Sequence, residues 1–235
     1  MGRYYKKGII ITSLFSFIIM GMQMQSFGQH NIIEREIKML ALGDSYTIGE
    51  SVDIGERWPH QFIAGLRKLG ADADVPDYIA TTGWTTSDLL KGIAEGLNLE
   101  KDYNLVSILI GVNNQYQGLD ISIYEPELRN IIDRALVITE QDRSKLFLLS
   151  IPDYAFTPFG KGDTIVSEEI DAYNEINRGV AMEYGITWID ITPISRRGFD
   201  DPFLVAGDGL HPSGAQYSEW VKKIIHHVSQ SSLFQ

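Results

Sequence analysis

Two stretches near opposite ends of the chain could together perform acyl-transfer chemistry. Leu40-Ala41-Leu42-Gly43-Asp44-Ser45-Tyr46 is an apolar run that stops at a Gly-Asp-Ser corner, and Asp208-Gly209-Leu210-His211 sets a carboxylate three residues before an imidazole. A serine hydroxyl is a weak nucleophile at neutral pH and needs a base within hydrogen-bond reach. An imidazole suits that task because its pKa lies near the working pH; it in turn needs a carboxylate to hold its tautomer and stabilise the imidazolium. Ser45, Asp208 and His211 therefore read as nucleophile, orienting acid and base. Asp208 and His211 stand just before Pro212-Ser213, a helix start, so one turn can carry both side chains on the same side.

The alkoxide formed by such an attack needs donors. Ser45 is expected to open a helix directly after a strand, which makes its backbone N–H one candidate. Gly83 offers a second N–H with no side chain in the way, and the Asn113 amide a third. One such donor is typically worth about 3 kcal/mol of barrier. The G-x-S-x-G elbow of the α/β-hydrolases is missing, since Tyr46 and Thr47 follow Ser45, and that disfavours their fold. P-loop, G-x-G-x-x-G and H-E-x-x-H patterns are also absent from the sequence.

The elements that must position these groups alternate regularly. Strands are expected at Ile37–Gly43, Asp77–Thr82, Leu105–Gly111, Lys145–Ser150 and Ile186–Asp190. Helices are expected from Trp58-Pro59, over Ser87–Leu97, Tyr124–Glu140 and Ser167–Tyr184, and from a Ser213 cap to about Val228. Ser167 is read as the cap of its helix, with Glu168 and Glu169 in the first turn. Continuous apolar strands alternating with helices imply a parallel sheet covered on both faces. Ligands bind such sheets outside the carboxyl ends of the strands. Gly43-Asp44-Ser45, Thr82-Gly83-Trp84 and Gly111-Val112-Asn113-Asn114 all fall at those ends.

Composition narrows the class. The 235 residues are 44% hydrophobic, enough for one sizeable core at 37–235. Residues 1–28 differ in character: Arg3, Lys6 and Lys7 precede an apolar run from Gly8 to Met22 and a small, polar stretch ending at Gly28. This reads as a secretory signal peptide, followed by a short extension at 29–36, with export to the periplasm or medium. An uncleaved anchor is the alternative, but the run is broken by Thr12, Ser13 and Ser16 and falls short of the ~20 apolar residues of a spanning helix. With no cysteine, the chain has no disulfide, thiolate nucleophile or cysteine-ligated metal. Its net charge of −11 becomes −14 once the three cations of the signal are removed, which argues against nucleic acid or anionic membrane surfaces as partners.

Four blocks in this order resemble the SGNH, or GDSL, esterases and lipases. Gly43-Asp44-Ser45 matches the nucleophile block, with Tyr46 where the name has leucine. Gly83 matches the glycine block, Gly111-Val112-Asn113 the G-x-N block, and Asp208-Gly209-Leu210-His211 the D-x-x-H block. The resemblance spans about Ile37 to Val228. It implies a flavodoxin-like three-layer α/β/α sandwich and metal-independent, cofactor-free hydrolysis of esters or thioesters, here read as carboxylic esters of lipids or of small acyl groups. It implies Ser45 as nucleophile, His211 as base and then acid, Asp208 as orienter, and the Ser45 N–H, Gly83 N–H and Asn113 as the oxyanion hole. Asn114 departs from the aspartate common at that place. A carbohydrate O-acetylesterase on the same machinery is an alternative; a non-catalytic binding module or a flavodoxin-like cofactor binder is a rival of another class.

Blander readings stand beside these. A lone Gly-Asp-Ser is ordinarily a turn. His60 reads as a first-turn helix residue, His226 and His227 as a solvated helix end, His30 as part of the leading extension. Asp72, Asp74 and Asp77 read as solvated loop charges, because their loop lacks the pattern of a calcium hand. Trp84, Tyr116, Tyr154, Phe156 and Phe159 lie in or beside the rim loops. They could be loop packing, an apolar wall for an acyl chain, or a platform for a sugar ring.

Overall fold

Five short parallel strands form one sheet: β1 Met39–Gly43, β2 Asp77–Ala80, β3 Leu105–Leu109, β4 Leu146–Leu149 and β5 Thr187–Ile189, in the order β2-β1-β3-β4-β5. This is the flavodoxin-like order. The structure, a computed structural model, describes residues 36–96 and 102–228 together with Met1 and Gly2. The assigned signal peptide at 1–28 and extension at 29–36 lie outside the described residues except for Met1, Gly2 and Glu36. No described helix is long and apolar enough to cross a membrane.

Every residue of β1, β3 and β4 is buried, which is why these segments are continuous apolar runs and do not alternate. The helices are α1 Ser45–Ile48, α2 Trp58–Lys68, α3 Thr86–Gly96, α4 Val112–Tyr116, α5 Tyr124–Ile138, α6 Thr164–Tyr184, α7 Thr192–Ser195 and α8 Gly214–Val228. α2 packs against α8, and α3, α5 and α6 pack in a row, so two helical layers enclose the sheet. Trp58, Phe62 and Leu66 of α2 recur every four residues and are fully buried. The Trp58 and Phe62 rings meet the edge of Phe147 on β4, with centroids 6.3 and 5.9 Å away. Full burial of one such side chain stabilises by roughly 1.5–3 kcal/mol.

Several expectations are corrected. α6 starts three residues earlier than expected, and Asp163, not Ser167, is its cap: the Asp163 carboxylate accepts from the Ile165 N–H. Ser167 instead donates from inside the helix to Asp153, 2.7 Å away. The expected strands are trimmed at their ends; Ile37 makes only an isolated bridge to Ala73. Asp77 belongs to β2, where it accepts from the Tyr103 hydroxyl at 3.0 Å, and is not a loop charge. Ser213 does cap α8, accepting from Gln216 N–H at 3.2 Å.

β2, β1 and β3 are neighbours, so the loops after them meet on one rim. A close approach there is at Gly43, where a Cβ would lie 2.1 Å from Thr47 Oγ1 and 2.3 Å from the Leu109 carbonyl oxygen. Glycine lets α1 turn back against the strand ends. Gly43→Ala is expected to cost about 1–3 kcal/mol through overpacking. An unchanged denaturation midpoint would contradict that close approach.

Candidate active site

The Asp208–His211 turn forms as the spacing suggested. His211 Nδ1 lies 2.6 Å from Asp208 Oδ2. An ionised carboxylate only accepts, so Nδ1 carries the proton and Nε2 is left as the basic nitrogen. Asp208 Oδ1 accepts from the backbone N–H groups of Leu210 and His211 at 2.9 and 3.0 Å. Gly209 sits at φ +73° in this turn, a backbone state that glycine enters without strain. Partial burial pulls the Asp208 pKa upward. Hydrogen bonds from Ser51, from His211 and from the two backbone N–H groups outweigh it and hold the carboxyl well below the usual range.

Ser45 and His211 line one cavity of about 250 Å³, together with Gly83 and Asn113. All four residues singled out for nucleophile, base and oxyanion donors thus share one cleft, and Asp208 stands behind His211. Ser45 is the first residue of α1, so its N–H has no carbonyl four residues earlier in the helix to bond. Gly83 adopts φ +81° with open space where a Cβ would be; conformation, not room, calls for glycine there. Asn113 uses one N–H of its amide on the Trp84 carbonyl at 3.0 Å. An amide has two such hydrogens, so the second is free to serve the cleft.

The short helix α4, not expected from the sequence, explains how the glycine loop is held. Asn113 and Gln117 are four apart and share a helical face. Gln117 donates to the Gly83 carbonyl at 3.1 Å, next to the Asn113–Trp84 bond. Asn114 faces the other way and is buried. Its Oδ1 accepts from Thr86 N–H at 3.0 Å and its Nδ2 donates to Thr86 Oγ1 at 2.6 Å, tying α4 to the start of α3. The Thr86 hydroxyl spends its one proton on the Glu127 carboxylate, so its oxygen can only accept from residue 114, which an amide can serve and a carboxylate cannot; the departure from aspartate has a local reason. Gln117 and Asn114 escaped functional reading because nothing in sequence announces a one-turn helix after β3.

Tyr46, in the place of the family's leucine, is 4% exposed. Its ring centroid lies 5.5 Å from that of His211, and its carbonyl accepts from Tyr217 of α8 at 3.1 Å. The imidazole therefore rests against an anchored aromatic wall. The rim aromatics divide. Tyr116, Tyr154 and Phe159 line the cavity as a triangle, with centroids 6.1–6.2 Å apart. Trp84 instead covers Gly92 of α3, where a Cβ would meet its ring at 2.4 Å, and Phe156 pairs with Phe199 at 6.0 Å. Tyr154 is set by Asp153, which is fully buried, accepts from the Ala155 N–H at 2.9 Å and pairs with Arg196 Nε at 2.9 Å.

Two other described histidines lie elsewhere. His60 Nδ1 lies 2.7 Å from the Tyr78 hydroxyl, and His227 Nδ1 lies 2.8 Å from the Lys223 carbonyl.

Asp44 is the site's electrostatic oddity. One carboxylate oxygen accepts from Tyr46 N–H at 3.0 Å and caps α1, while Oδ2 is buried without a partner. Burial, opposed by backbone hydrogen bonds, pushes its pKa up to about 7. An acid whose folded pKa is raised favours the native state fully only below its unfolded value, near 4, and that contribution is lost as pH rises through about 7. Stability of the wild type relative to Asp44→Asn is therefore expected to fall between pH 4 and 8, by a few kcal/mol. Urea denaturation of both proteins across that range checks it; parallel stability curves would show that Asp44 ionises normally.

A parallel sheet in flavodoxin-like order, flanked by helices, with a serine, an imidazole and a glycine-rich rim at the carboxyl ends of its strands, defines the SGNH-type α/β/α hydrolase fold. The chain belongs to the GDSL-like lipase/acylhydrolase family, whose family model matches residues 41–218, and so is placed among ester hydrolases. Solved structures agree on the fold. TesA is 18% identical, with 83% of this chain and 98% of that one covered and a TM-score of 0.65. A lipase/acylhydrolase from Enterococcus faecalis is 19% identical, covering 85% and 99%, with a TM-score of 0.65. Axe2, an acetylxylan esterase from Geobacillus stearothermophilus, is 20% identical, covering 85% and 96%, with a TM-score of 0.62. No curated protein matches the chain.

Proposed function

We propose that the protein is an exported serine esterase that cleaves carboxylic esters of short acyl groups through Ser45, His211 and Asp208. The observation that carries this reading is the 2.6 Å Asp208–His211 bond behind an imidazole that shares a cavity with Ser45. His211 Nε2 takes the Ser45 proton as Oγ attacks the ester carbonyl. The alkoxide of the tetrahedral intermediate sits among the N–H groups of Ser45, Gly83 and Asn113. It collapses as His211 gives the proton to the leaving alcohol. Water, deprotonated by His211, then releases the acid from the acyl-serine and restores the hydroxyl.

The cavity of about 250 Å³ is smaller than the ~300–1,000 Å³ of pockets that enclose drug-sized ligands, which favours a small acyl group against Tyr154 and Leu210. At the mouth, Tyr116 and Phe159 are 58% and 47% exposed. These exposed rings favour a second reading of the alcohol side, a sugar stacked on them, as in a carbohydrate O-acetylesterase. Similarity to an acetylxylan esterase is in keeping with it.

A fluorophosphonate probe is expected to label Ser45 and nothing in Ser45→Ala, as read by mass spectrometry; an unlabelled wild type would defeat the reading. In a p-nitrophenyl ester panel, turnover is expected to peak at two to four acyl carbons, a range set by that small volume. Phe159→Ala is expected to raise KM several-fold for acetylated xylo-oligosaccharides only. An equal rise for p-nitrophenyl acetate would assign the ring to the acyl side. The apolar segment at 1–28 motivates export; equal amounts of full-length and 29–235 protein in the cytoplasmic fraction would remove that part.

A further inference from the structure

We infer that Ser51, which no motif touches, is a positioning residue that fastens the acid–base turn to the segment carrying the nucleophile. The inference rests on the esterase reading above and adds a member to its machinery. Asp208 accepts four hydrogen bonds, two at each oxygen. Three come from its own turn: the N–H groups of Leu210 and His211 to Oδ1, and His211 Nδ1 to Oδ2. The fourth is the Ser51 hydroxyl, which donates to Oδ2 at 2.6 Å from 157 positions away. Among the described residues it is the one bond to this carboxylate that reaches outside the turn.

Ser51 stands three residues beyond α1, so its position follows from that of Ser45. The Glu50 N–H donates to the Ser45 carbonyl at 3.0 Å. The Glu50 carboxylate accepts from Thr82 Oγ1 at 2.5 Å, beside Gly83. Glu50 and Ser51 therefore grip the two flanks of the cleft in turn, the glycine loop and the Asp208 turn. Ser51 does this from a left-handed backbone at φ +65°, a state that costs a side-chain-bearing residue free energy and costs glycine almost none. A bare connection would be served better by glycine; the serine places a donor on Oδ2, the same oxygen that holds His211.

Because Asp208 is itself partly exposed, with 31% of its side chain accessible, water can satisfy Oδ2 when the hydroxyl is removed. What water cannot supply is the covalent link to α1. The expected loss is therefore in turnover, where Ser45 and His211 must be aligned, and not in substrate binding.

The test compares Ser51→Ala with Ser51→Gly. Both are expected to lower kcat about tenfold while KM stays within twofold. Ser51→Gly, whose backbone fits φ +65°, is expected to melt at or above the wild-type temperature even as turnover falls. A merely structural role predicts the opposite: glycine would restore what alanine loses, and that outcome overturns the inference. So does turnover within twofold of wild type in both variants. In an Asp208→Asn background, Ser51→Gly is expected to cost less than twofold more; an undiminished tenfold loss there would show that the hydroxyl acts elsewhere and would also overturn it. The low-field proton resonance of the Nδ1–H···Oδ2 bond, expected to shift in both variants, judges the contact without turnover. A wild type that resists fluorophosphonate would sink the esterase reading, whereas a labelled, active wild type with indifferent Ser51 variants sinks this inference alone.

Discussion

Ser45→Ala is expected to lower kcat on short p-nitrophenyl esters by roughly 10⁴-fold or more, to near the background rate, with the fold intact. The size follows from the chemistry. Without the hydroxyl no acyl-serine can form, and the surviving donors and binding contacts stabilise only direct attack by water. The fold should tolerate the change because Ser45 is small, 5% exposed, and opens a helix whose cap is supplied by Asp44 and not by Ser45 itself. Loss of a lone buried hydroxyl costs of order 1 kcal/mol, so the melting temperature should shift by only a few degrees. Steady-state kinetics on both proteins at equal purity, beside thermal unfolding, is the measurement. Turnover within tenfold of wild type would remove Ser45 from the reaction and the proposed mechanism with it.

Asn113→Ala carries the second largest effect. If the free N–H of its amide meets the alkoxide, kcat should fall about 10²–10³-fold, because that donor matters most once negative charge has developed. KM should change little. The variant also breaks the 3.0 Å bond to the Trp84 carbonyl, worth about 1 kcal/mol of stability, and that loss could loosen the glycine loop. Gln117→Ala separates the two roles. It removes the neighbouring bond to Gly83, 3.1 Å long, without removing an oxyanion donor. The expectation is a large kcat loss for Asn113→Ala and a loss under tenfold for Gln117→Ala. Equal losses would mean that Asn113 works by bracing the loop, and an unchanged kcat would take it out of the oxyanion hole.

The rhythm of the fold was legible because buried parallel strands must be apolar at every position, and Leu105–Leu109 and Leu146–Leu149 are. Ends were less legible. The cap of α6 was misplaced because Ser167 and Asp163 are both good caps locally. Ser167 is drawn instead to Asp153, whose place beside α6 is a matter of packing. The rim aromatics could not be divided into packing and lining for the same kind of reason. Trp84 and Tyr116 are both loop-adjacent rings in sequence, yet one covers a glycine of α3 and the other faces the cavity.

By itself the chain singled out the candidates, one serine, one imidazole and one carboxylate, and set Asp208 and His211 where they can meet, since a three-residue spacing closes within one turn. It also determined that the polar motifs would gather, because parallel strands in a covered sheet all end on one side. Only the tertiary structure decided that Ser51 would reach Asp208, that Asn113 and Gln117 would brace the Gly83 loop, and that the Asp44 carboxyl would be shut away from water. Those contacts join segments up to 157 positions apart. Their geometry is fixed by how α1 and α4 pack against the strand ends, a sum of many small contacts that no local pattern encodes.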